Sequence, residues 1–195
     1  MPTIRRILQI ASVCLIFQTA GLLAAEVSIQ RIHEEPKGME EDPQDYIRVT
    51  IDGRVYRCAS LGNWGVLDNA RGYDLVATPP NGISGIVGVR VERCVDAKGK
   101  PFPHFTQELL DAQIKRMQPE GPRYENTIPP LQDSMTTVEF DVLCVEKAAT
   151  WKCRYRLSLV GDQLWVFACE ASPAHYEASL PTFGALSATF ARASD

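Results

Sequence analysis

Histidine is scarce in this chain. Its 195 residues hold three, His33, His104 and His175, and none lies within four positions of another. That excludes the H-E-x-x-H arrangement, which needs two imidazoles on one helix face to hold zinc. A G-x-S-x-G elbow is also missing, because Gly82-Ile83-Ser84-Gly85 has the wrong spacing to raise a nucleophilic serine on a strand-to-helix turn. No C-x-x-C poises a thiol for exchange, and the acidic stretch lacks the spaced D-x-D-x-D-G of a calcium loop. Positive charge is not in excess: 20 basic against 24 acidic residues give a net charge of −4. Such a surface suits neither nucleic acid nor an anionic membrane. After the first 25 residues no long apolar run follows, so no later segment is expected to span a bilayer.

The N-terminus carries Arg5 and Arg6, then an apolar run from Ile7 to Phe17, then the small residues Gly21, Ala24 and Ala25. Those are the three regions of a secretory signal, with cleavage expected after Ala25. Retention of Ile7 to Ala25 as a membrane anchor is the alternative. Cleavage leaves 170 residues, enough for one domain with a core of its own. Arg5 and Arg6 leave with the signal, so 18 basic residues remain against 24 acidic and the balance shifts to −6. Residues 26–46 read as an acidic arm or linker around Pro36 and Pro43, in which Glu26 to Ile32 has the potential to add a strand. Residues 47–195 form the domain.

Alternation dominates from Ile47 onward. Ile47, Val49 and Ile51 share a face, and Asp52-Gly53 signals a two-residue type I′ hairpin that sets Val49 opposite Tyr56 and Ile47 opposite Cys58. Strands are expected over Tyr73 to Thr78 and Ile86 to Val95. An amphipathic helix follows from Phe105 to Met117, with Thr106 at its start and Pro119 and Gly121 beyond its end. After a polar, proline-containing loop come three strands: Thr136 to Glu146, Trp151 to Val160 and Leu164 to Glu170, the last two joined by a type II′ turn at Gly161-Asp162. A last apolar stripe, Tyr176, Leu180, Phe183, Leu186 and Phe190, marks a short terminal helix that Pro181 is suited to open.

Five cysteines outlast the signal, an odd set. A hairpin centred on Lys147 to Thr150 puts Cys144 opposite Cys153, where a cross-strand disulfide is expected. Cys58 with Cys94, on adjacent sheet elements, is the second expected pair, and Cys169 is the leftover free thiol. Buried free thiols and a redox role are the alternatives. The Gly161-Asp162 turn sends Leu164, Val166 and Ala168 to one face of their strand and Trp165, Phe167 and Cys169 to the other. That second face needs a cover, either the N-terminal segment or a partner, so Trp165 and Phe167 are candidates for an interaction surface. His104 and His175 precede helices, where a polar residue needs no special role.

The stretch Val55-Tyr56-Arg57-Cys58-Ala59-Ser60-Leu61-Gly62-Asn63-Trp64-Gly65-Val66 resembles the strand and Gly/Pro-x-Trp turn of the PsbP-like and DcrB-like superfamily, small exported or lumenal α+β proteins. The element order from Ile47 to Arg192 is similar as well, and Trp64 is its most specific residue. The resemblance implies an antiparallel sheet with an amphipathic helix and a C-terminal helix packed on it. It also implies a binding or accessory role rather than catalysis. The metal and photosystem contacts of the photosynthetic members find no matching residues here. The combined expectation is an exported α+β domain, periplasmic or secreted, with no cofactor and no metal, that binds a protein or small ligand. A thiol-disulfide or hydrolytic enzyme and an anchored envelope protein are the competing readings.

Overall fold

The structure is a computed structural model that describes residues 26–35, 44–80, 85–117, 123–127, 130–146 and 149–193. The segment read as a signal, the middle of the acidic stretch, and residues 81–84, 118–122, 128–129, 147–148 and 194–195 lie outside the described residues, Pro119 and Gly121 among them.

Among the described residues, two antiparallel sheets and two helices make an α+β fold, the class expected from the sequence. The smaller sheet has four strands: β1 (Val27–Glu34), β2 (Gln44–Ile51), β3 (Arg54–Ala59) and the short β11 (Ala191–Arg192), in that order. The larger has seven: β4 (Gly65–Ala70), β5 (Tyr73–Thr78), β6 (Gly85–Arg93), β10 (Gln163–Ala171), β9 (Ala149–Val160), β8 (Thr137–Glu146) and β7 (Arg123–Thr127). Helix α1 (Gln107–Met117) lies between β6 and β7 in the chain, and α2 (Tyr176–Thr189) follows β10.

The β2–β3 hairpin closes as its sequence dictates. Asp52 and Gly53 both take positive φ (47° and 74°), as a type I′ turn requires, and Val49 faces Tyr56 while Ile47 faces Cys58. The Gly161-Asp162 turn likewise joins Val160 to Gln163, with positive φ at Gly161. Helix α1 begins where Thr106 Oγ1 accepts the Leu109 N–H at 3.2 Å, satisfying one of the free amides of the first turn.

The seven-stranded sheet is covered on both faces, and its central strand β10 is accordingly apolar from Leu164 to Cys169. Leu164, Val166 and Ala168 pack with Leu109, Leu110 and Ile114 of α1. Trp165, Phe167, Cys169 and Ala171 pack on the opposite side with Ile47, Val49 and Tyr56 of the small sheet and with Phe183, Leu186 and Phe190 of the α2 segment. The face bearing Trp165 and Phe167 is therefore core, not an interaction surface: Trp165 is 7% exposed and Phe167 1%. Its cover comes from the chain itself. Tyr176, the first residue of α2, donates to Asp141 Oδ1 at 2.9 Å, and Arg154 grips the same carboxylate at 2.7 and 2.9 Å. The Arg154 guanidinium holds the Asp141 carboxyl below its usual range.

Four elements depart from or extend their sequence expectations. The strand to which Glu26–Ile32 had potential forms as Val27–Glu34 and pairs along its whole length with Gln44–Ile51, so that part of the stretch read as an arm belongs to the small sheet. Helix α2 opens five residues before Pro181, which sits within it on the exposed side. Pro181 lacks the N–H that would bond the Glu177 carbonyl, and Glu177 is exposed, so water can serve that acceptor. The polar loop after α1 contains β7, and Gly65–Ala70 forms β4 at the far edge of the sheet.

Candidate functional site

The small sheet has its apolar side on the core, so alternation sends the other half of its residues outward. On β2 these are Tyr46, Arg48 and Thr50, and on β3 they are Val55, Arg57 and Ala59. Arg48 lies directly opposite Arg57. Counting from the Ile51–Arg54 pair that closes the turn, this is a non-hydrogen-bonded pair, the type with Cα atoms only about 4.5 Å apart. Both arginines are exposed, and among the described residues neither has an ion-pair or hydrogen-bond partner. Like charges directly opposite one another on a sheet are mildly destabilising, and a counter-charge would relieve the pair.

Around this pair lie two adjoining cavities of about 370 and 230 Å³. Glu34, Tyr46 and Arg57 line both. The larger extends past Gln44, Asp45 and Ala59 to Thr189 at the end of α2, and the smaller past Arg48 to Ala193. The Tyr46 hydroxyl donates to Glu34 Oε1 at 2.8 Å, which fixes the groove wall between β1 and β2. At the far end, Asp45 is occupied by His33, whose Nδ1 lies 2.6 Å from Asp45 Oδ1 and whose Nε2 lies 3.4 Å from Glu35 Oε1. The Asp45 hydrogen bond and charge raise the His33 pKa.

The other residues singled out by sequence are dispersed. All five described cysteines are free, which corrects both expected disulfides. The β8–β9 strands pair up to Glu146 opposite Ala149, a tighter turn than the four-residue connection expected, so the register moves by two residues. Cys144 faces Trp151 and Cys153 faces Val142. The two thiols keep one face but stand diagonally, about 7–8 Å apart in such geometry, beyond the usual Cα reach of a disulfide. Cys58 and Cys94 belong to cores on opposite sides of the large sheet. Burial pushes the Cys58, Cys153 and Cys169 thiols up to about 12 and Cys94 to about 11. Thiolate, the reactive form, is thereby suppressed at neutral pH. In the native protein an aromatic disulfide reagent should therefore label half-buried Cys144 first. The other four should react at the rate of unfolding and only in denaturant, giving five thiols in total from a chain that begins at Glu26 and so lacks Cys14. Fewer than five without reductant would restore a disulfide.

Trp64 follows the tight turn at Gly62, half-buried against the small-sheet core, and its carbonyl accepts from Arg31 of β1. The turn thus ties the two sheets together. His33, His104 and His175 lie on β1, before α1 and before α2. His175 is engaged by Ser172, whose Oγ is 2.8 Å from Nδ1. Among the described residues no group of three or more His, Cys, Asp or Glu side chains is placed to hold a metal. One polar cluster is enclosed on the α1 side: Glu170 Oε1 accepts from Tyr73 at 2.7 Å and Tyr155 at 3.2 Å. Burial raises both tyrosine hydroxyls, and the cluster lines neither cavity. It is a satisfied structural knot.

No family model matches the chain, and no curated protein matches it. Among solved structures it is similar to the solution structure of cyanobacterial PsbP (CyanoP) from Synechocystis sp. PCC 6803. The TM-score is 0.48 at 11% identity, covering 91% of this chain and 99% of that one. Among the described residues no helix is long and apolar enough to cross a membrane.

Proposed function

We propose that this chain is an exported, non-catalytic binding or accessory protein whose partner engages the outer face of the small sheet. The observation that carries this reading is the Arg48–Arg57 pair, two opposed cations in the floor of a groove, neither bonded by a carboxylate among the described residues. Stability alone disfavours that arrangement, and a ligand of opposite charge supplies what it lacks. The signal-like residues from Arg5 to Ala25 support export. Thiols protected by burial are compatible with an oxidising compartment, and their suppressed ionisation weighs against thiol-disulfide exchange as the activity.

The reading is tested in cells that export the full chain, with a photo-crosslinking amino acid at Gln30, which neighbours Arg48 across the β1–β2 pair. A control probe goes at Lys115 on exposed α1. A discrete adduct is expected from Gln30, lost when Arg48 and Arg57 are both changed to glutamate, and none from Lys115. Mass spectrometry of the same material should find the mature N-terminus near Glu26. Adducts that form equally at both positions, or that ignore the charge reversal, overturn the groove as the binding surface. Retention of Ile7 to Ala25 overturns cleavage.

A further inference from the structure

We infer that the Arg48–Arg57 pair is a phosphoryl-binding site, and that the groove takes the terminal phosphate of a small soluble phosphomonoester. This rests on the groove being the binding surface and adds the chemistry of what binds.

The two guanidiniums rise from directly opposed positions on one sheet face. Each offers a planar fork of N–H donors, and neither is engaged within the described protein. An anion seated between them accepts from both forks at once. A carboxylate brings one negative charge and two oxygens, leaving one arginine uncompensated. A phosphomonoester brings between about 1.5 and 2 negative charges at neutral pH and three terminal oxygens, enough to engage both forks and offset both charges. The smaller cavity, about 230 Å³, has room for a phosphoryl group and a short substituent, and it shares Glu34, Tyr46 and Arg57 with the larger one. Glu34 is the one carboxylate lining both cavities, and it bonds Tyr46 rather than either arginine. It sets a repulsive charge beside the anion and so moderates affinity. Lipid phosphate in an anionic bilayer is disfavoured as the source, because a chain of net charge −4 is repelled by such a surface.

The test is a titration of the folded protein with methyl phosphate, acetate and chloride at matched ionic strength, following the arginine Nε–Hε and Val55 to Ala59 amide resonances. Vesicles of phosphatidic acid form a separate arm. Methyl phosphate should give saturable shifts at Arg48 and Arg57 and bind about tenfold more tightly than acetate, as charge-assisted bidentate contacts to a second arginine allow. Arg48→Gln or Arg57→Gln should each weaken it by about tenfold with a melting temperature no lower than the parent's, since each also relieves the like-charge pair, while Glu34→Gln should tighten it. Equal binding of acetate and methyl phosphate, variants that titrate like the parent, or binding to phosphatidic acid vesicles alone overturns the assignment. Should methyl phosphate fail while the arginine-dependent Gln30 adduct persists, the phosphoryl class falls and the binding surface stands. Loss of both removes both.

Discussion

Changing Phe167 to alanine should cost about 3–5 kcal/mol of stability, the usual range for truncating a fully buried aromatic. Phe167 sits where β10, the small sheet and the end of α2 meet, 1% exposed. Its ring lies edge-on to Trp165 at 6.4 Å and to Phe190 at 5.8 Å, and Phe190 stacks on Tyr56 at 5.2 Å with an 11° interplanar angle. These arrangements suit the quadrupoles of the rings. The polar edge of the cluster is also closed: Trp165 Nε1 donates to Gln163 Oε1 at 3.1 Å, and Gln163 Nε2 donates to the Tyr56 hydroxyl at 2.7 Å. Removing Phe167 opens a cavity in a packed junction that three elements share. For a domain this size the melting temperature should drop by roughly 6–20 °C, read by calorimetry or circular dichroism. The result also decides between core and docking surface. A variant that melts like the parent but loses a partner would return Trp165 and Phe167 to the role of an interaction face.

That face shows how far the sequence carries. The Gly161-Asp162 turn fixes which residues of β10 point which way, so the separation of Trp165 and Phe167 from Leu164 and Val166 was legible. Their cover was not, because it depends on how the small sheet lies over the large one and on where α2 begins. Pro181 pointed to a helix starting there, whereas Tyr176 is tied down by the Asp141–Arg154 pair, a contact between elements 35 residues apart that no local pattern encodes. β4 was missed for a different reason. Its Leu67 is 52% exposed on an edge strand, and Asn69 and Arg71 take positive φ, so neither alternation nor propensity marks the segment. The cysteine pairing failed on two residues of hairpin length, which preserve the face of every side chain and change every partner. The candidate site lies at the other extreme. The register that the Asp52-Gly53 turn imposes already sets Arg48 against Arg57. Attention to histidine and cysteine chemistry passed over that pair, and the groove around it emerges only when β1 and the end of α2 are in place.

Gly88→Val should cost about 2–4 kcal/mol, combining overpacking with the loss of a buried hydroxyl bond. Gly88 lies in the middle of β6 between Val76 and Ala168, and the Tyr73 ring lies across it. A Cβ at this position would stand 2.9 Å from Tyr73 Cγ and 3.2 Å from the Leu75 carbonyl oxygen. The carbonyl belongs to the strand ladder and cannot yield, so the ring must move. Tyr73 is itself held, because its hydroxyl donates to Glu170 at 2.7 Å, and Glu170 also serves Tyr155. A shift of the ring therefore strips one donor from a carboxylate in a largely enclosed site. Urea unfolding of Gly88→Val, Tyr73→Ala and the double variant checks this account through non-additivity. In the Tyr73→Ala background the valine should cost well under half of what it costs alone, because the obstructing ring is gone. Equal costs in the two backgrounds would place the strain on the Leu75 carbonyl and on the Tyr73 Cβ that alanine keeps, each 3.2 Å away. The Arg48–Arg57 groove lies on the other sheet, so below its melting temperature Gly88→Val should titrate with methyl phosphate as the parent does.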